Sequence, residues 1–274
     1  MGIKLVGLIT SAAVIVAGFA LSAIMAVAWR VQRVTNNAGW IDVFWSFGTG
    51  AVACALVLAP YPGDSWPQGR QVLVAECVAF WSLRLGWHIL SRTCRADDDP
   101  RYRDLIRKWG ARAAASLFWH LQIQAGIGLL LAVSVLLAAR NPAALFRLQD
   151  IAAVVVFLTG AIGETVADAQ LRRFKSLEAY RGKVCDLGLW RWSRHPNYFF
   201  EWVCWLAYPL LAIGEGNPLG FFTLSAPLCM YWLLVHVSGV PPLEAHMMRT
   251  RPDAFATYRR RTSAFFPWPP GKDK

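Results

Sequence analysis

The sequence predicts an all-α fold: a polytopic membrane helix bundle of about seven transmembrane helices. Three observations carry that prediction. Hydrophobic residues make up 56% of the 274 positions and charged residues 16%, against roughly 45–50% and about 25% in soluble domains. Apolar runs close to the ~20 residues that cross a hydrocarbon core recur along the chain. Lys and Arg gather in alternate connecting segments, the signature of cytoplasmic loops.

The spans are drawn at 5–28, 40–59, 71–90, 116–138, 151–170, 197–213 and 220–238. The first ends in Ala26-Val27-Ala28, which resembles a signal-peptide cleavage site. Its apolar stretch exceeds the ~7–15 residues of a signal sequence and only Lys4 precedes it, so it is expected to stay as a membrane helix. The sixth span is short and rich in aromatic residues. The segments 30–39, 91–115, 171–196 and 239–274 hold 2, 7, 7 and 7 Lys or Arg, and the opposite side holds only Lys4, Arg70, Arg140 and Arg147. That alternation predicts an external N-terminus and a cytoplasmic C-terminus.

A net charge of +11 in such a chain reflects loops facing anionic headgroups rather than nucleic acid. The 14 Trp suit a lipid–water boundary. The six cysteines form no Cys-x-x-Cys pair, so neither a disulfide framework nor a metal site is expected. The chain reads as one integral membrane domain, with a candidate cofactor-binding half over roughly 151–274 and its long polar stretches all on the cytoplasmic side. Asp97-Asp98-Asp99-Pro100 reads as a loop break before a short amphipathic stretch, Tyr102 to Trp109. Gly48-Thr49-Gly50-Ala51-Val52-Ala53 matches a dinucleotide-binding fingerprint, but it lies in an apolar span where small residues serve close helix packing.

Charges inside spans are costly and default to a functional reading. Asp42, Glu76, Arg84, His88, Glu164, Asp168 and Glu201 are such residues. Arg84/His88, Glu164/Asp168 and Asn197/Glu201 are each four apart, so each pair shares a helix face. Three such faces near the inner ends of three spans are expected to converge on a polar cavity. Helix capping is the rival explanation for Asp42, snorkelling for Glu76, and interhelical bonding accounts for Gln122 and Gln124. The densest signal is 188–201, where a basic loop runs into Pro196, the expected first turn of a helix. Arg191, Arg194 and His195 stand where the helix N-terminus offers N–H groups to an anion, with Tyr198 and Glu201 behind them.

From Asn37…Asp42-Val43-Phe44-Trp45, through Arg92, Asp99-Pro100-Arg101-Tyr102 and Trp109-Gly110, the chain carries a recognisable set of blocks. Glu164-x-x-x-Asp168-x-Gln170…Phe174-Lys175 and Gly188-Leu189-Trp190…Ser193-Arg194-His195-Pro196-Asn197-Tyr198 follow. The last is Ser238-Gly239-Val240…Glu244…Tyr258-x-Arg260-Arg261-Thr262-Ser263 through Trp268. As a set these blocks resemble the steroid 5-alpha-reductase C-terminal superfamily, more closely its bacterial branch of short membrane proteins. The resemblance implies about seven membrane helices in a bacterial inner membrane, NADPH bound from the cytoplasm, and hydride transfer to an activated carbon–carbon double bond of a lipid, sterol-like or isoprenoid substrate. It places Asp168 and Glu164 with Arg172 and Lys175 on the adenosine and phosphate side of the cofactor. Asn197 and Glu201 then line the pocket near the nicotinamide. Arg194, His195, Tyr198, Tyr258 and Arg260 are further contacts, and Arg84 matches a basic residue at the inner end of an equivalent helix. Two positions depart from the pattern. The Gln-Glu pair of the reductases' second span is missing, Asp42 being the nearest candidate, and Phe200 stands where relatives carry Gly.

Hydride addition to an enone builds charge on its carbonyl oxygen, which needs a donor in a dry site. Tyr198, Glu201 and Arg84 are the donors on offer. A methyltransferase using S-adenosylmethionine, of the isoprenylcysteine carboxyl methyltransferase type, shares the Arg-His-Pro-x-Tyr core, but the surplus of cations around Asp168 favours a cofactor with several phosphates. A transporter or assembly protein is the non-enzymatic alternative. Charges clustered at one membrane face, with no internal repeat, argue against it.

Overall fold

The computed structural model describes residues 2–60, 67–95 and 99–271, and among these the regular structure is helical. Asp97 and Asp98 of the expected loop break fall outside the described residues, as does the side chain of Lys4. The α-helices are α1 (Gly2–Thr35), α2 (Gly39–Leu58), α3 (Gly69–Thr93), α4 (Pro100–Trp109), α5 (Ala113–Ala139), α6 (Leu148–Ser176), α7 (Pro196–Ala212), α8 (Ser225–Trp232), α9 (Val240–Thr250) and α10 (Pro252–Arg261). Among the described residues, six helical stretches are long and apolar enough to cross a membrane. The short sixth span, α7, has 17 residues, begins at Pro196 as expected, and carries Pro209 inside it. The protein is a polytopic helical membrane bundle.

Two spans differ from their drawn limits in ways that matter for the site. Helix α6 continues past 170 to Ser176, so Arg172 and Lys175 sit on its last turns rather than in a loop. Leu171 and Phe174 extend its apolar face onto Cys185 and Trp190, which keeps those turns wound. The seventh span is irregular: a 3-10 stretch (Pro218–Leu224) leads into α8, and a π-turn (Leu233–Val237) ends it. There Ser238 N–H reaches back five residues to Leu233 O at 2.8 Å.

The chain divides into two compact units, Met1–Leu145 with Leu211–Ala226, and Phe146–Leu210 with Pro227–Lys274. In the first, α2 packs closely on its neighbours through small residues. A Cβ on Gly48 would stand 2.8 Å from Ile24 of α1, and one on Gly50 would overlap Ser82 of α3. The apparent dinucleotide fingerprint is therefore a helix-packing stripe. Ser22 donates to Gln122 Oε1 at 2.6 Å, an interhelical bond of the kind expected for that residue. Glu76 is exposed on α3.

Asp42 does not cap α2. Asn37 Oδ1 accepts from Gly39 N–H at 2.9 Å instead. Asp42 accepts from the Arg101 guanidinium at 2.5 Å and from the Tyr102 hydroxyl at 2.9 Å, and Tyr102 in turn accepts from Gln124 Nε2 at 2.9 Å. Arg101 also pairs with Asp99, whose carboxylate caps α4 through Arg101 N–H. Burial pushes the Asp99 carboxyl up, but the Arg101 hydrogen bond and the charges of Arg101 and Arg92 outweigh it and hold it below its usual range. Both Asp42 oxygens thus serve to seat α4, through residues about sixty positions away in sequence.

Candidate functional site

Glu164, Asp168, Arg172 and Lys175 follow one another along α6 at spacings of four, four and three, so they form one helix face. Glu164 and Asp168 are buried, whereas Arg172 and Lys175 are exposed. Asn197 and Glu201 share a face of α7 in the same way, with Glu201 buried. The two faces meet where Asn197 Nδ2 donates to Asp168 Oδ1 at 3.3 Å. One turn further along α7, the Trp205 indole donates to Glu201 Oε1 at 3.1 Å.

Glycine explains how the helices come so near. A Cβ on Gly160 would lie 2.7 Å from the backbone of Phe200 and Cys204. At Gly163 it would meet the Phe200 ring at 2.3 Å. Phe200 is thus a knob filling the space that a missing α6 side chain leaves.

The loop before α7 is held from several directions. Gly188 turns with φ of +59°, and a Cβ there would strike the Gln170 side chain, whose Oε1 accepts from Leu189 N–H at 2.9 Å. The Trp190 indole donates to Ala167 O at 2.9 Å. The segment after α10 runs alongside: Arg194 N–H donates to Ser263 O at 2.8 Å, and Trp268 N–H to Trp192 O at 2.9 Å. Ser193 Oγ donates to Phe265 O at 2.8 Å. Phe199 and Trp202 of α7 pack edge-on to Phe265 and Phe266, fastening the same segment.

Arg194 is buried, and its guanidinium turns towards the C-terminal segment. Nε donates to Glu244 Oε1 at 2.8 Å, a terminal nitrogen pairs with the same oxygen at 2.7 Å, and the other donates to Arg259 O at 3.2 Å and to Thr262 O. His195 is stacked on Tyr198 at 5.6 Å with its Nε2 3.4 Å from Glu244 Oε1. Burial pushes its pKa down, Glu244 opposes that, and the Arg194 charge adds to it. The Tyr258 hydroxyl donates to Trp190 O, and burial keeps it protonated far above the ordinary phenol range. Arg194 and Tyr258 are therefore positioning residues for the loop. Arg260 is exposed and donates to Thr257 Oγ1 at 3.1 Å.

The second unit brings together Glu164, Asp168, Asn197 and Glu201, with Arg172 and Lys175 beside them and His195 and Tyr198 at the start of α7. Asp42 and Arg84 belong to the first unit, Arg84 half-buried on α3. Gln170, Glu244 and Arg261 stand in the quoted motifs without a role, and the structure gives them one: Gln170 on Leu189, Glu244 on Arg194 and Arg261 on Asp186. Glu244 stood in a quoted motif, but its partner lies fifty residues away and no periodic pattern connects them.

A family described as protein of unknown function (DUF1295) matches residues 28–262. The uncharacterized protein C594.04c of Schizosaccharomyces pombe (strain 972 / ATCC 24843) is 25% identical over 279 residues, covering 92% of this chain and 79% of that protein. No solved structure matches. With most of its length matched, the chain belongs to the DUF1295 family, which is related to steroid 5-alpha-reductase-like proteins.

Proposed function

We propose that this protein is an NADPH-dependent membrane reductase acting on an activated carbon–carbon double bond of a lipid-like substrate, with the cofactor site facing the cytoplasm. The observation that carries the reading is the graded face of α6. Along one line it passes from buried carboxylates, tied to α7 through Asn197, to exposed cations. A ligand with hydroxyls at one end of its contact and phosphates at the other matches that order. Asp168 accepts hydrogen bonds from ribose-type hydroxyls, and Arg172 and Lys175 pair with phosphate oxygens. S-adenosylmethionine has no phosphate to meet them.

When bound, NADPH supplies the hydride. The chain's own residues supply position and a proton. Asn197 fixes Asp168, while the Arg194–Glu244 clamp and Tyr258 fix the loop that leads into α7. The Tyr198 hydroxyl and the Glu201 carboxyl lie on the first two turns of that helix. Either can give a proton to a substrate oxygen or carbon in a water-poor setting, where such donors count for most. Aromatic and aliphatic side chains around α7 admit an apolar substrate and exclude water.

The test is to purify the protein in mild detergent, denature it, and identify the released small molecules by mass spectrometry. NADPH or NADP is expected. S-adenosylmethionine or its demethylated product, or failure to bind added NADPH, would overturn the reading.

A further inference from the structure

Helix α4 is strongly amphipathic, and the reductase reading does not use it. Its inner face is fully engaged: Tyr102, Ile106 and Trp109 join a cluster with Leu21, Met25 and Ala28 of α1 and with Leu117 and Leu121 of α5. Arg101 is drawn inward to Asp42 and Asp99. What remains outside is Arg103, Arg107 and Lys108, followed by Arg112 in the turn before α5, all exposed. Among described residues of this helix the acid is Asp104, which pairs with Arg107 at 2.5 Å. The end of α1 lies beside this turn, because the Trp29 indole donates to Ala114 O at 2.9 Å. It adds exposed Arg30 and Arg33, the latter 5.3 Å above the Trp29 ring.

A second observation says what these cations face. Trp119 is 67% exposed and stands seven residues along α5 from Arg112. Seven residues of helix rise about 10 Å, roughly the depth between phosphate groups and the upper acyl chains. An exposed indole at that depth below a belt of guanidinium groups is the arrangement of a membrane interface. A solvated charged face has no use for the exposed Trp, and a nucleic-acid surface would not place it along a lipid-crossing helix.

We propose that the outer face of α4, with Arg112 and the end of α1, binds the headgroups of anionic phospholipids. The α4 helix lies in the headgroup layer, and the lipid phosphates and anionic headgroup oxygens sit at Lys108 and Arg112, with Arg30 and Arg33 of α1 beside them. This site lies wholly in the first unit and is independent of the reductase reading.

The test uses the full-length protein, purified in mild detergent and stripped of lipid, titrated with phosphatidylglycerol or phosphatidylcholine, with bound lipid counted by native mass spectrometry. Phosphatidylglycerol adducts are expected to outnumber phosphatidylcholine adducts. Removing one interfacial cation weakens binding by roughly five-fold, so Lys108→Gln with Arg112→Gln lowers apparent affinity by about twenty-five-fold. The single variant Arg112→Gln gives a smaller loss in the same direction should the double variant fail to fold. Arg181→Gln with Lys183→Gln, removing exposed cations of the second unit, leaves binding unchanged. Equal binding of the two lipids, wild-type affinity in the Lys108 and Arg112 variants, an equal loss in the control, or displacement by equimolar inorganic phosphate would each overturn the proposal.

Discussion

Replacing Arg194 tests how much of the hold on the loop before α7 comes from its clamp on Glu244. The Arg194 side chain is 8% exposed and Glu244 14%. Arg194→Lys keeps the charge, but one ammonium cannot serve the carboxylate and the two C-terminal carbonyls together. About two hydrogen bonds are lost, at about 1 kcal/mol each. Arg194→Ala removes the main counter-ion of a largely buried carboxylate, a change that costs about 3–5 kcal/mol. His195 at 3.4 Å and Arg259 at 3.9 Å remain to Glu244, so the lower end of that range is expected. With about 2–4 °C lost per kcal/mol for a chain of this size, Arg194→Ala lowers Tm by about 10 °C and Arg194→Lys by about half as much. The assay is thermal unfolding in mild detergent, followed by tryptophan fluorescence. Glu244→Gln alone and combined with Arg194→Ala completes a double-mutant cycle, in which a coupling of about 2 kcal/mol is expected. Additive effects, or an Arg194→Lys variant as stable as wild type, would refute the clamp.

Asp168→Ala and Asn197→Ala are each expected to abolish retention of NADPH through purification while leaving thermal unfolding cooperative. Wild-type retention in both removes the site assignment. Burial holds His195 below its ordinary value of 6.5, so on acidification the unfolded chain takes up that proton first. Its contribution is therefore constant above about pH 6.5 and turns increasingly destabilising below it. His195→Gln should flatten Tm against pH in that window, and an unchanged slope would assign the acid sensitivity elsewhere. Asp99, held below its ordinary value of 3.8, contributes stability that begins to be lost as pH falls below about 3.8 and is gone once pH has passed its lower native pKa, so the two effects separate along one titration. Gly160→Ala should cost about 1–3 kcal/mol, because its Cβ would meet the backbone of Phe200 and Cys204 as well as the Cys204 thiol, and the backbone cannot turn aside. No change in Tm would show that α6 and α7 can move apart freely.

The spans were legible because crossing a bilayer demands length and apolarity, and both are local properties. The amphipathic stretch at Tyr102–Trp109 and the helix start at Pro196 were legible for the same reason, as was the packing role of Gly48 and Gly50. The paired faces of α6 and α7 followed from helical periodicity, but their meeting through Asp168 and Asn197 did not, since it joins positions 29 apart. Asp42 shows the limit most plainly. Read alone, it is a costly acid near a helix start. Its partners Arg101 and Tyr102 are about 60 residues away, and only the fold brings them to it. Arg194 shows the same limit: a basic residue at a helix entrance suits an anion, and only the fold reveals that Glu244 and the 259–262 carbonyls hold its guanidinium.

Phe200 and Gly163 have an evolutionary consequence. With a ring filling the space above position 163, that position is closed to any side chain, since even a methyl would stand 2.3 Å from the ring. Were residue 200 a glycine, the restriction would lift. The two sites should then drift as a couple: lineages with a large residue at 200 keep glycine at 163, and those with glycine at 200 accumulate variety at 163.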